Sequence, residues 1–166
     1  MTGRGIYLYL LEARRLFRLW APQLGQETWL GELLDRYRQT IGQTGEMMDH
    51  LGVTAACGHC ALKGAGSCCF PGVENNYDQV LLLINFLLGY PPPETGEIKG
   101  KCLFVGKTGC KLLARHYYCQ RFLCEELKAE LGEAAVQRLN EIVMQEIVVG
   151  WEVERALRER FIQFIE

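Results

Sequence analysis

Apolar residues return at helical spacing over three long stretches of the chain. Ile6, Leu10, Ala13, Phe17 and Trp20 recur every three or four positions, while Arg14, Arg15 and Arg18 occupy another face. This pattern predicts an amphipathic helix over Ile6–Trp20, with Pro22 suited to open the next helical region. From Glu27 to Leu51, the residues Leu30, Leu33, Leu34, Tyr37, Ile41, Met48 and Leu51 form a second apolar stripe, in which Gly42 and Gly45 are candidate breaks. Near the C-terminus, Val136, Leu139, Val143, Ile147, Trp151, Leu157, Phe161 and Ile165 predict one long helix beginning after a boundary at Gly132. Such stripes face a core, and an exposed part of the last one leaves room for a second copy of the chain as partner.

The middle of the chain reads differently. Ala56–Val73 is rich in glycine and cysteine and has little periodicity, which predicts loop or knuckle structure. Val80–Tyr90, VLLLINFLLGY, is almost wholly apolar, which predicts a buried helix, with a strand as the competing reading. Pro91–Gly100 reads as an exposed loop. Cys102–Cys110 predicts a short β-hairpin turning at Gly106–Gly109. Lys111–Cys124 reads as helical, and so does the region from Glu125 to Gly132. The fold class expected is mainly α: a compact helical domain spanning 1–166, with cysteine-rich loops at 56–73 and 101–124 and a short β-hairpin.

Composition supports a packed domain. The chain has 166 residues, 49% hydrophobic and 23% charged, and no solenoid repeat. Its net charge of −2 gives no general attraction to nucleic acid, so a nucleic-acid partner is disfavoured. The longest apolar run is too short to span a bilayer, so membrane insertion is not expected. The N-terminal apolar segment becomes charged at Glu12, Arg14 and Arg15 with no small-residue cleavage site, which favours a cytoplasmic location.

The 8 cysteines change the picture. They are Cys57, Cys60, Cys68 and Cys69 in one block, and Cys102, Cys110, Cys119 and Cys124 in the other. Four thiolates satisfy tetrahedral zinc or a simple iron–sulfur cluster, and Cys57-Gly-His-Cys60 has a spacing that aims two sulfurs at one ion. The competing readings are core cysteines, structural disulfides and a redox-active CxxC at Cys57–Cys60. Metal ligation is favoured over these. Lys99, Lys101, Lys107, Lys111, Arg115 and Arg121 would relieve the thiolate charge. His59 and His116 are secondary ligand candidates, and Glu74, Asp78, Glu125 and Glu126 are nearby carboxylates without a reaction-specific spacing. Tyr117, Tyr118 and Phe122 are expected to pack around a buried centre. The Gly106-Lys107-Thr108 triplet lacks the upstream glycine of a phosphate loop.

The segment Ala56–Cys124 resembles the zinc- or iron-chelating, YkgJ-like cysteine-cluster family. The likeness is carried by Cys102-Leu-Phe, Gly109-Cys110 and Cys119-Gln-Arg-Phe-Leu-Cys124, with Cys57-x-x-Cys60 and Cys68-Cys69 upstream. Two features depart from the family pattern: the ALKGAGS insertion before Cys68, and Arg115-His116 where Arg-Pro is usual. The resemblance implies that all 8 cysteines ligate iron–sulfur cluster(s) or Zn2+, for electron transfer, sensing or structural organisation. A metal-stabilised scaffold for an unidentified protein partner and a metal-dependent enzyme are the alternatives. The closed four-thiolate arrangement favours a non-catalytic protein.

Overall fold

The computed structural model describes residues 4–24, 26–63 and 67–163. Among these, the helices are α1 (Arg4–Leu24), α2 (Thr28–His50), α3 (Val53–Leu62), α4 (Gln79–Leu87), α5 (Tyr117–Arg121), α6 (Glu125–Leu131) and α7 (Glu133–Gln163). A 3-10 turn covers Val73–Asn76, and strands β1 (Val105–Gly106) and β2 (Gly109–Cys110) form one antiparallel hairpin. The mainly helical expectation and the hairpin both hold.

The hairpin pairs Val105 with Cys110 and Gly106 with Gly109, so Lys107 and Thr108 form a two-residue loop. Gly109 has φ of 111°, a conformation that glycine adopts without a Cβ penalty. Gly132 does the same between α6 and α7, with φ of 76°, which fixes the expected boundary there.

Helix α4 is the centre of the larger apolar cluster. Leu82, Leu83 and Ile84 are fully buried, flanked by α1 through Ile6, Leu10 and Ala13. Phe17 of α1 stacks on Phe86 of α4 with ring centroids 5.5 Å apart. Full burial of each large aliphatic side chain stabilises the fold by about 1.5–3 kcal/mol. Asp78 starts the helix by accepting hydrogen bonds from the Val80 and Leu81 N–H groups at 3.0 Å. A smaller cluster gathers Met48, Val53, Leu123, Leu127, Leu139, Val143 and Ile147. Helices α2 and α7 pack along each other and contribute to both clusters.

Five local expectations are corrected. Helix α1 runs through Pro22 rather than ending before it, although the missing N–H removes one i→i−4 hydrogen bond two residues from the helix end. Gly42 and Gly45 do not break α2. The first cysteine block is not all loop, since Cys57 and Cys60 lie on α3; its residues 64–66 lie outside the described residues. Lys111–Cys124 is helical only over Tyr117–Arg121, because Asn85 takes up the Leu113 and Ala114 backbone groups that a helix would use. Trp151 is 59% exposed, so the α7 stripe reaches the core through Gly150 and Val153 instead. Its expected continuation through the Phe161 side chain and Ile165 lies outside the described residues. No helix among the described residues is long and apolar enough to cross a membrane.

Candidate functional site: the thiol groups

The second turn of α3 carries Cys57 and Cys60, three residues apart and so on one helix face. Helix α3 packs against the hairpin, and a Cβ at Gly58 would make ordinary contact with the Lys107 carbonyl oxygen at 3.5 Å. The Ser67–Gly72 loop follows. Its Cys69 N–H donates to Ser67 Oγ at 3.2 Å, and the Cys69 carbonyl accepts from Cys102 N–H at 3.0 Å. The Gly72 N–H donates to Glu74 at 2.9 Å. These bonds pin the Cys68–Cys69 pair against the strand entry at Cys102.

All 8 cysteines are free thiols. Cys102 is buried, Cys57, Cys60, Cys68, Cys69 and Cys119 are half-buried, and Cys110 and Cys124 are exposed. Cys57 feels the fields of Cys68, Cys60 and Cys124, and Cys69 those of Cys68, Cys102 and Cys110. Proximity in sequence blocks therefore does not map onto proximity in space.

Burial raises the pKa of Cys57 to about 11 and that of Cys102 to about 12. It also raises Cys119, and the dense surroundings of the Cys110 thiol raise it although the residue is exposed. These groups are protonated at neutral pH. Cys68 is the exception. A hydrogen bond from the Cys69 thiol, supported by backbone donors and the Lys101 charge, lowers its pKa to about 6. Cys69 is correspondingly held protonated by that same bond. One thiolate and its donor thus sit side by side.

The metal expectation is corrected. No group of three or more His, Cys, Asp or Glu side chains among the described residues is placed to hold a metal ion. Zinc and iron–sulfur ligation by Cys57, Cys60, Cys68, Cys69, Cys102, Cys110, Cys119 and Cys124 therefore has no structural basis, nor do the metal-stabilised scaffold and the metal-dependent enzyme. The physical reason lies in where the residues went. Two sit on a helix instead of a knuckle, and the others are divided among the Ser67–Gly72 loop, the hairpin with its approach, and the α5 region.

The secondary candidates have other partners. His59 Nδ1 faces the Ala55 carbonyl at 3.0 Å. His116 caps α5 by accepting from Tyr118 N–H at 3.3 Å. Asp78 caps α4 and pairs with Arg158; burial works against its charged form, but Arg158 and the cap bonds hold its pKa below the usual value. Glu125 pairs with Lys128, and Lys111 pairs with Glu97 rather than tempering a thiolate. Lys101 and Arg115 do act on thiols, on Cys68 and on Cys57, Cys110 and Cys119 respectively. Tyr117, Tyr118 and Phe122 are exposed and enclose no centre.

Tyr77 is the contributor that sequence reading passed over. It is buried, accepts from His116 N–H at 3.0 Å and bonds the Cys119 thiol as donor. No spacing or charge pattern marks it, since its role depends on segments distant in the chain. The resemblance to the YkgJ-like cysteine-cluster family is corrected too: its metal-holding cluster is absent among the described residues, no family model matches this sequence, and no curated protein or solved structure matches it either.

Proposed function

We propose that this protein works by thiol–disulfide exchange, as a redox-responsive thiol protein of a reducing compartment such as the cytoplasm. One observation carries the reading: Cys68 is a partly accessible thiol held beside a hydrogen-bonding thiol, Cys69, and near Lys101, within the field of Cys57. The thiolate is the attacking species in exchange, and a cationic neighbour together with a donor favours it.

The oxidant is a small disulfide. The Cys68 thiolate attacks one of its sulfurs, forming a mixed disulfide and releasing one thiolate. Cys57, on losing its proton to solvent, attacks the Cys68 sulfur. The second small thiol leaves, and the Cys57–Cys68 bond stores the two electrons' worth of oxidation. Cys69 is a poor resolving partner despite its contact. Consecutive Cα atoms lie about 3.8 Å apart, below the usual disulfide span of about 4.4–6.8 Å. Cys69 instead stabilises the thiolate before attack and the leaving thiolate on return. The high pKa of Cys57 keeps the resolving step slow at neutral pH, so the mixed disulfide has time to accumulate.

The rate of iodoacetamide modification, followed by peptide mass spectrometry across pH, tests the first half of this scheme. Cys68 is expected to react with a midpoint near pH 6, ahead of every other cysteine. Cys69→Ala, which removes the donor, should move that midpoint upward. A Cys68 midpoint at the free-thiol value of about 8.5 would refute the reading.

A further inference from the structure

We propose that the cleft between α5 and α7 binds a small organic carboxylate that carries a flat ring. This site is distinct from the Cys68–Cys69 pair, although the Arg115 charge also reaches the thiols of Cys57, Cys110 and Cys119. It is a cavity of about 320 Å³, within the range of small-molecule sites, and its walls come from α2, α4, the segment before α5, α5 itself and α7.

Arg115 supplies the charge that such a ligand needs. It lines the cleft, and its guanidinium donates to Met48 Sδ at 3.6 Å, a weak acceptor for a group with five donors. It forms no ion pair among the described residues. Its neighbour His116 adds a neutral donor. Because His116 Nδ1 accepts from Tyr118 N–H, the ring proton of the neutral form resides on Nε2. Burial disfavours the charged ring, although Glu154 and Asp78 oppose that effect. A guanidinium with a nearby N–H matches the two oxygens of one carboxylate.

The other charges set the limit on the ligand. Arg158 is engaged by both Asp78 and Glu154. Asp78 and Glu154 offset Arg115 and Arg158, so the lining carries no excess positive charge to hold a polyanion. The buried Glu146 also lies within the field of Arg115, so a single carboxylate is the most charge that Arg115 can match.

The rim supplies the rest. Trp151 and Tyr117 both line the cleft, and they are 59% and 53% exposed. Two aromatic faces thus flank one opening, where a flat ring can stack. Gly150 completes the floor. A Cβ there would come within 2.9 Å of the Tyr37 hydroxyl, so glycine lets that hydroxyl approach α7 beneath the cleft.

Saturation-transfer NMR on the full chain tests this with benzoate, nicotinate and indole-3-acetate, each beside its own amide. At least one acid is expected to bind saturably with Kd of about 1 mM or tighter, and its amide about tenfold more weakly. Arg115→Met should weaken the acid about tenfold and leave the amide unchanged. Trp151→Ala, at a position exposed enough to leave folding intact, should weaken both. The proposal is overturned if no acid saturates below about 10 mM, if acid and amide bind alike, or if either variant leaves the acid's affinity intact. Should Arg115→Met fail to fold by circular dichroism, the acid–amide comparison and Trp151→Ala decide the matter.

Discussion

Asn85 is wholly buried in the most apolar helix, and every hydrogen-bonding group it has is directed at backbone. Its Nδ2 donates to the Leu81 and Ala114 carbonyls at 3.1 and 2.9 Å, and its Oδ1 accepts from Leu113 and Ala114 N–H at 2.9 and 3.0 Å. The side chain thus stands in for a neighbouring strand and keeps the 113–114 backbone from coiling. Asn85→Leu preserves the shape but strands three buried backbone groups of that segment. We expect a loss of about 3 kcal/mol in urea denaturation. Glu146 makes the opposite case. It is fully buried; one oxygen accepts from Gln120 at 2.7 Å and the other has no hydrogen-bond partner. Burial raises its pKa above 4.5, although Thr44, Arg115 and Gln120 favour the charged form. In the window between the unfolded and the folded pKa, the unfolded chain binds fewer protons, so stability falls as pH rises. Glu146→Gln should therefore be more stable than the parent at pH 7 and lose that advantage below about pH 4, in paired thermal melts. Neither residue was legible in the sequence. Asn85 sits inside VLLLINFLLGY and Glu146 inside an apolar stripe, and each reads as a minor interruption. Their hydrogen-bond partners, at 113–114 and at Gln120, are fixed only by tertiary packing.

Helices show which signals survive into the fold. The stripes of α1, α2 and α7 were readable because each long helix buries one face, and the period of that face repeats over many turns. Helix α5 was overestimated for the converse reason: a short segment has too few turns for periodicity to outweigh tertiary hydrogen bonds. The glycines separate local propensity from packing in a testable way. A Cβ at Gly42 or Gly45 would meet nothing within 4 Å, and both lie inside α2. Gly42→Ala and Gly45→Ala should each stabilise by about 0.5–1 kcal/mol. At Gly150 the Cβ would press on the Tyr37 ring at 2.9–3.1 Å. That ring is buried and cannot swing away, so Gly150→Ala should destabilise by about 1–3 kcal/mol. Chemical denaturation of the three variants side by side checks both signs. Equal effects would mean that α2 and α7 do not cross closely at Gly150.

At the scale of the whole molecule, the sequence blocks of cysteine mislead about grouping. Cys57 and Cys60 are carried by α3, Cys68 and Cys69 by the following loop, and Cys102 and Cys110 by the hairpin and its approach. The fold brings α3 against the hairpin and ties Cys69 to Cys102, which leaves Cys68 within the fields of Lys101 and Cys57. Cysteine number pointed to metal, yet the arrangement of the side chains among the described residues does not provide for it. Spacing records which thiols are near in the chain, while burial and neighbouring donors decide which of them ionises. The most direct test of the account is disulfide mapping after equilibration of the reduced protein with glutathione disulfide. Peptide mass spectrometry should find Cys57 linked to Cys68, with Cys68→Ser abolishing both that link and the preceding mixed disulfide. Random pairing among the cysteines, or a mixed disulfide formed equally well in Cys68→Ser, would contradict it.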